Sequence, residues 1–402
     1  MIAIVIAIAA MLLAGIRPKG TREWMWAGGG AALLLLLGVE PAIAAAHALA
    51  EQWNVLLFIL GLMGLSAAAE ESGAFALVAE HAVQRAGGSR RRLFVWLFLA
   101  GAALTMLLSN DATAILFTPI VYRAVASRGG DALPFLFGCT FVADTASFGL
   151  PFANPANLIV VPRPHVLEYL LHLAPPEAFA IAINLALFLV LFRSQIRGRY
   201  EVEKRPQPAP AAVRTLVAVC CVAAGYLAAM AFDVPLGPVA VAGAVVTLAV
   251  ARVRLATAAR HVGWSTFVLL AALFVLLDAL ARAGFIGWTL HGLDAAAAYG
   301  SLAAIAAAAA GSALLANVVN NLPVAVASSH IVLQEPHLAY PLIAGTDLGP
   351  NLTTTGSLAT ILWMAALRRR GVSVSPLEYL RLGLVVVPPM LAVSILWLWL
   401  VS

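Results

Sequence analysis

This sequence carries little charge. Asp, Glu, Lys and Arg supply 11% of its 402 residues, where a soluble domain of ordinary composition carries roughly 25%. With hydrophobic residues at 62%, the chain lacks the polar surface to stay dissolved, and its solvent is lipid. Cysteine is nearly absent: Cys139, Cys220 and Cys221 lie in apolar runs, with no CxxC spacing and no histidine cluster beside them. That excludes a disulfide framework and a zinc site. No phosphate-binding glycine loop is present, so the chain does not itself hydrolyse ATP. The ~10-residue alternating segments of a membrane β-barrel do not dominate either. We expect no cofactor, no resident metal and no enzymatic activity.

What is present is a series of apolar runs of about twenty residues, the length a helix needs to cross a bilayer. Ten full spans are expected, near 1–16, 24–39, 53–70, 134–161, 176–192, 214–231, 236–250, 262–279, 340–366 and 380–400. The run from Met1 to Ile16 has no basic stretch before it and no clear cleavage site, and reads as a retained helix. Two more apolar segments, 92–126 and 298–334, are long enough to enter and leave on one side, each interrupted by polar residues. The expected fold class is an all-α polytopic membrane protein of about ten transmembrane helices plus two re-entrant hairpins.

The basic residues fix the orientation, because cytoplasmic loops collect Lys and Arg. With both termini on the periplasmic side of a bacterial inner (plasma) membrane, 22 of the 24 basic residues fall on the cytoplasmic side, and Arg163 and Arg282 are the exceptions. The bias survives only if 92–126 and 298–334 are hairpins; a single crossing by either would move every later basic cluster to the other side. A net charge of +5 is therefore a topology signal and not a nucleic-acid surface.

A basic, Pro-rich linker, 193–213, divides the chain into two repeats, 1–192 and 214–402, each with five spans and a hairpin. The halves match piece by piece. Glu71-Ser72-Gly73-Ala74-Phe75 corresponds to Ala281-Arg282-Ala283-Gly284-Phe285. The hairpin tips are Ser109-Asn110-Asp111-Ala112-Thr113 and Asn317-Val318-Val319-Asn320-Asn321. Ala143-Asp144-Thr145-Ala146-Ser147, running on to Asn154-Pro155, corresponds to Thr346-Asp347-Leu348-Gly349-Pro350, running on to Thr353 and Ser357. Five spans is an odd number, so the second copy is inverted relative to the first, a recurrent transporter plan in which interrupted helices meet at mid-membrane.

The breaks carry the chemistry. Prolines and glycines within spans free backbone groups that lipid cannot satisfy, so such breaks line cavities. Asn110, Thr113, Asn154, Asn320, Asn321, Thr353, Thr354 and Ser357 offer neutral donors and acceptors for a substrate. Asp111, Asp144 and Asp347 are the expected proton-coupling groups, since an ionised carboxylate at mid-membrane costs about 2.5–3.5 kcal/mol and marks function by default. Each could instead merely cap a half-helix. Asp278 has no polar neighbours in sequence and reads as structural. No Lys or Arg lies at a break, which argues for a small neutral polyhydroxyl solute over a dicarboxylate or phosphate.

At these same motifs the sequence resembles the arsenite-efflux permease family, ArsB, of the wider ion transporter superfamily. The matching stretches include Glu71-Ser72-Gly73, Asn110-Asp111-Ala112, Leu116-Phe117-Thr118-Pro119, Asn320-Asn321-Leu322-Pro323, and Asp347-Leu348-Gly349-Pro350 with Gly356-Ser357-Leu358-Ala359-Thr360. The resemblance implies export of arsenite and antimonite in exchange for protons, and a cytoplasmic ATPase of the ArsA type as an optional partner. The chain departs from the family where Asp-Leu-Gly-Pro is often flanked by Cys and Lys: Thr346 and Asn351 stand there instead. A sodium/proton antiporter, or another cation-coupled carrier of the same architecture, is the alternative reading.

Overall fold

The computed structural model describes residues 1–201 and 209–402; residues 202–208 of the expected linker lie outside the described residues. All regular structure described is helical. The first half runs α1 (Ile2–Ile16), α2 (Glu23–Leu36), α3 (Ala42–Glu51), α4 (Trp53–Glu71), α5 (Ala74–Ala86), α6 (Arg90–Leu107), α7 (110–126), α8 (Leu133–Thr145), α9 (Pro155–Val160) and α10 (Val166–Leu191). The second runs α11 (Pro210–Ala231), α12 (Leu236–Ala251), α13 (Leu255–His261), α14 (Trp264–Arg282), α15 (Phe285–Ala297), α16 (Ser301–Val319), α17 (Asn321–Val332), α18 (Ala339–Leu348), α19 (Leu358–Arg368) and α20 (Pro376–Val401).

Ten helices in each half follow the same order, and their packing repeats as well. The pairs α1–α2 and α11–α12, α5–α6 and α15–α16, and α6–α8 and α16–α18 make matching contacts. Across the halves, α4 packs on α12 as α14 packs on α2. Local signals recur too: α5 and α15 each start after a glycine in the left-handed region, Gly73 (φ 80°) and Gly284 (φ 86°), where a side chain would be strained.

Among the described residues, six helices are long and apolar enough to cross a membrane alone: α4, α10, α11, α14, α16 and α20. The bent pair α12 and α13, at 120°, adds a seventh if taken as one span. The other expected spans are shorter or broken. The span expected at 134–161 is α8 and α9 with an unwound stretch between them, and the one at 340–366 is α18 and α19. The segments expected as hairpins are α6–α7 and α16–α17, each a pair of helices joined at the predicted tip. Thr105 Oγ1 donates to Thr113 Oγ1 at 2.9 Å across the first tip. Four helices were not expected at all: α3, α5, α13 and α15.

Small residues let these elements approach closely. A Cβ on Gly61 of α4 would lie 2.4 Å from Ala240 of α12, and one on Gly345 of α18 would lie 2.0 Å from the Ala309 carbonyl oxygen of α16.

Candidate functional site

The breaks in the α-helices, 146–154 and 349–357 (the latter opening with a 3-10 turn over Gly349–Leu352), occupy equivalent places, and an aspartate sits at the second-last position of the helix before each. Both aspartates are 1% exposed. Each is bonded by the other half of the chain. Asp144 accepts from Ser357 Oγ at 3.3 Å and Thr360 Oγ1 at 3.4 Å, both at the start of α19, and from Asn110 Nδ2 at 3.4 Å. Asp347 accepts from Ser147 Oγ at 2.9 Å and Asn154 Nδ2 at 2.8 Å. The two carboxylates thus clasp the two breaks together, with neutral donors and no cation.

The same side chains cap the half-helices. Asn154 Oδ1 accepts from the Ala156 N–H and Ser357 Oγ from the Thr360 N–H. Ser109 and Asn320 cap the hairpin arms α7 and α17. The hairpin tips dock on the breaks by matching bonds, Asn110 N–H to the Ala153 carbonyl and Asn321 N–H to the Gly356 carbonyl. Four helix N-termini therefore converge, each carrying a partial positive charge of roughly half an elementary unit. In α7 the turn widens over Thr113–Phe117 to a π-type helix, a distortion that recurs at functional sites.

Where they converge lies a chamber of about 30 Å³, lined by Asn110, Asp111, Asn154, Asn321 and Ser357 together with Ile59, Met63, Pro155, Thr266, Leu270, Leu322 and Leu358. It holds on the order of one or two waters. It shares Asp111, Pro155, Thr266 and Leu358 with a vestibule of about 240 Å³, whose lining includes Glu70 and His261. His261 Nε2 lies 3.4 Å from Glu70 Oε2 and 3.3 Å from Glu71 Oε1. That mouth sits beside Arg252, Arg254 and Arg260 in sequence. No Lys or Arg lines either cavity.

The structure thus gathers Asn110, Asp111, Asn154, Asn321 and Ser357 at one chamber, with Asp144 and Asp347 bonded to its walls. It places the remaining expected ligands elsewhere. Thr113 is buried within the first hairpin. Asn320 reaches the Thr355 carbonyl, and Thr353 donates to Asn317 Oδ1 at 2.7 Å, tying α16 to the unwound strand. Thr354 also stands outside the chamber lining. Asp278 does have polar neighbours: it accepts from Arg282 Nε at 2.7 Å, and Glu40 lies 3.7 Å from the same nitrogen. Burial and the neighbouring Asp278 push the Glu40 carboxyl up to about 7.

Several supporting contacts were not foreseen from the sequence. Glu177 of α10 accepts from the freed N–H groups of Phe148 and Gly149 at 3.0 and 2.8 Å. Asn157 bonds the Ser147 and Leu150 carbonyls. Asn351, at the place of the family's Lys, donates to the Phe141 carbonyl and Thr145 Oγ1, both at 3.2 Å, and so links the two broken spans. Cys139 is buried and does not line the chamber. The signal available in sequence was position: each of these lies on, or one helix from, a Pro/Gly-interrupted span.

Broken spans clasped across two matching halves, around a chamber entered by a vestibule, define a multi-pass membrane transporter. The chain belongs to the citrate transporter family, CitMHS, whose model matches residues 2–366. It is 29% identical to the arsenical pump membrane protein of Yersinia enterocolitica over 413 aligned residues, covering 97% of this chain and 96% of that one. It is 28% identical to the arsenical pump membrane protein of Escherichia coli K12, covering 94% of each. These relatives bear out the ArsB-like resemblance. Among solved structures, the YdaH transporter of Alcanivorax borkumensis superposes with a TM-score of 0.59 at 12% identity, covering 89% of this chain and 87% of that one. At that identity the likeness speaks for the fold alone.

Proposed function

We propose that this chain is an arsenical efflux transporter of the bacterial inner membrane that exports arsenite and antimonite in exchange for protons. The observation that carries the reading is the chamber. Four helix N-termini and a set of amides and hydroxyls converge on it without a single Lys or Arg, which suits the hydroxyls of a trivalent oxyacid that is largely neutral near neutral pH. The near full-length similarity to arsenical pumps supports the same substrate class.

The vestibule gives such a solute a way in from the cytoplasmic face. Asn110, Asn154, Asn321 and Ser357 would hydrogen-bond it. Asp111, exposed to both cavities, and the clasped Asp144 and Asp347 are the groups to take the counter-transported proton. One net charge moving across the membrane is worth about 2.3 kcal/mol per 100 mV, so inward proton flow drives the neutral solute out. In this reading both termini lie on the periplasmic side, as the count of basic residues supports. A cytoplasmic ATPase of the ArsA type is the protein partner proposed, coupling on the basic face.

Everted membrane vesicles energised with a proton gradient test this. They should accumulate radiolabelled arsenite, and a protonophore should abolish the uptake. Uptake no higher than in vesicles lacking the protein overturns the reading. Sodium-dependent transport without an effect of arsenite would instead establish the sodium/proton antiporter. Uptake that persists without the ATPase rules out a passive pore gated by it.

A further inference from the structure

A groove of about 580 Å³ lies between α5, α6 and α11 and shares no lining residue with the chamber. Its walls are largely apolar, with Leu77, Trp96, Leu99, Val213 and Val217 among the lining and His81 beside them; several are exposed, Val217 at 59%. At its rim stands Arg85, in the last turn of α5, with its guanidinium carbon 5.5 Å from the Trp96 ring centroid. The acidic residue of α5, Glu80, faces Arg128 at 3.9 Å and bonds Gln84, on other sides of the helix. More positive charge stands nearby in sequence: Arg92 is one helical turn before Trp96 on α6, and Arg214 adjoins Val213 on α11.

Two of the three walls, α6 and α11, are apolar helices of a membrane protein, so what fills the groove from outside is a lipid chain and not water. A guanidinium at the mouth of such a groove, on the basic face, matches a phosphate, which Arg binds as a planar fork. Basic pockets between membrane helices on the cytoplasmic side bind anionic headgroups in this way. The matching surface of the second half, formed by α15, α16 and α1, exposes Trp288 but none of those helices contains an arginine. The arginine is thus specific to the groove of the first half.

We propose that this groove is a binding site for an anionic glycerophospholipid, with an acyl chain along Trp96, Leu99, Val213 and Val217 and the phosphate on Arg85. Native mass spectrometry of the purified full chain tests it, after incubation with equal amounts of phosphatidylglycerol and phosphatidylcholine. The wild type should retain phosphatidylglycerol over phosphatidylcholine. Arg85→Gln should retain about fivefold less, the worth of one arginine at an anionic lipid surface. Val217→Trp, which fills the groove and leaves the charges alone, should lose the bound lipid altogether. Millimolar inorganic phosphate should not displace it. Equal retention of the two lipids by the wild type, equal retention by all three proteins, or displacement by phosphate would each overturn the proposal.

Discussion

Asp144 and Asp347 spend their acceptor capacity on the opposite half of the chain. A buried carboxylate without a cation must be compensated by hydrogen bonds or carry a proton, and here Ser357, Thr360, Ser147, Asn154 and Asn110 provide only neutral donors. That is the arrangement expected of a group that alternates between the two forms. Ser357 has two tasks, since its Oγ also caps α19. Ser357→Ala removes a cap worth about 1 kcal/mol and a hydrogen bond to a carboxylate worth about 1.5–3 kcal/mol. Arsenite uptake by vesicles should fall about tenfold or more, and Ser357→Thr should restore most of it. The aspartates were legible in the sequence because a carboxylate in an apolar run stands out. Their partners Ser147 and Thr360 were not, because a hydroxyl in a membrane helix is unremarkable until its neighbour is known. Proximity in sequence misled in the other direction: Thr113 and Thr353 sit beside the breaks, yet their hydroxyls bond Thr105 and Asn317.

At the scale of elements, the unwound stretches persist because their freed backbone groups find partners inside the protein. Glu177 serves two of them at once. Glu177→Leu leaves two buried N–H groups unpaired, at about 1–3 kcal/mol each, so it should lower the melting temperature in detergent and reduce transport. Glu177→Gln keeps an acceptor and should recover stability; equal melting of the Leu and Gln variants would show that the bonds do not matter. Close approach is the other requirement. Gly345→Ala would drive a methyl group to 2.0 Å from the Ala309 carbonyl and 2.1 Å from Ser312 Oγ, so α16 and α18 must part and the melting temperature should drop. Gly225→Ala, with nothing within 4 Å, is the control and should melt like the wild type. The broken spans and hairpins were readable from Pro, Gly and Asn punctuating long apolar runs. Helices α5 and α15 were not, because 13 residues of mixed polarity after a positive-φ glycine look like loop until they lie on a bundle.

At the scale of the molecule, the two halves repeat the same helix order among the described residues, and we propose that they lie in opposite orientations in the membrane. The basic-residue count supports the same arrangement. In a background free of Cys139, Cys220 and Cys221, single cysteines at Ser127→Cys and Asp233→Cys, both exposed, should react with an impermeant maleimide only from the cytoplasmic and only from the periplasmic side, respectively. Labelling of both from one side would contradict the inverted arrangement. The central claim is that transport runs through the chamber the two aspartates clasp. Arsenite uptake into everted vesicles carrying wild type, Asp144→Asn or Asp347→Asn at matched levels tests it most directly. The account predicts proton-driven accumulation by the wild type and background uptake by both variants; undiminished accumulation by both would contradict it.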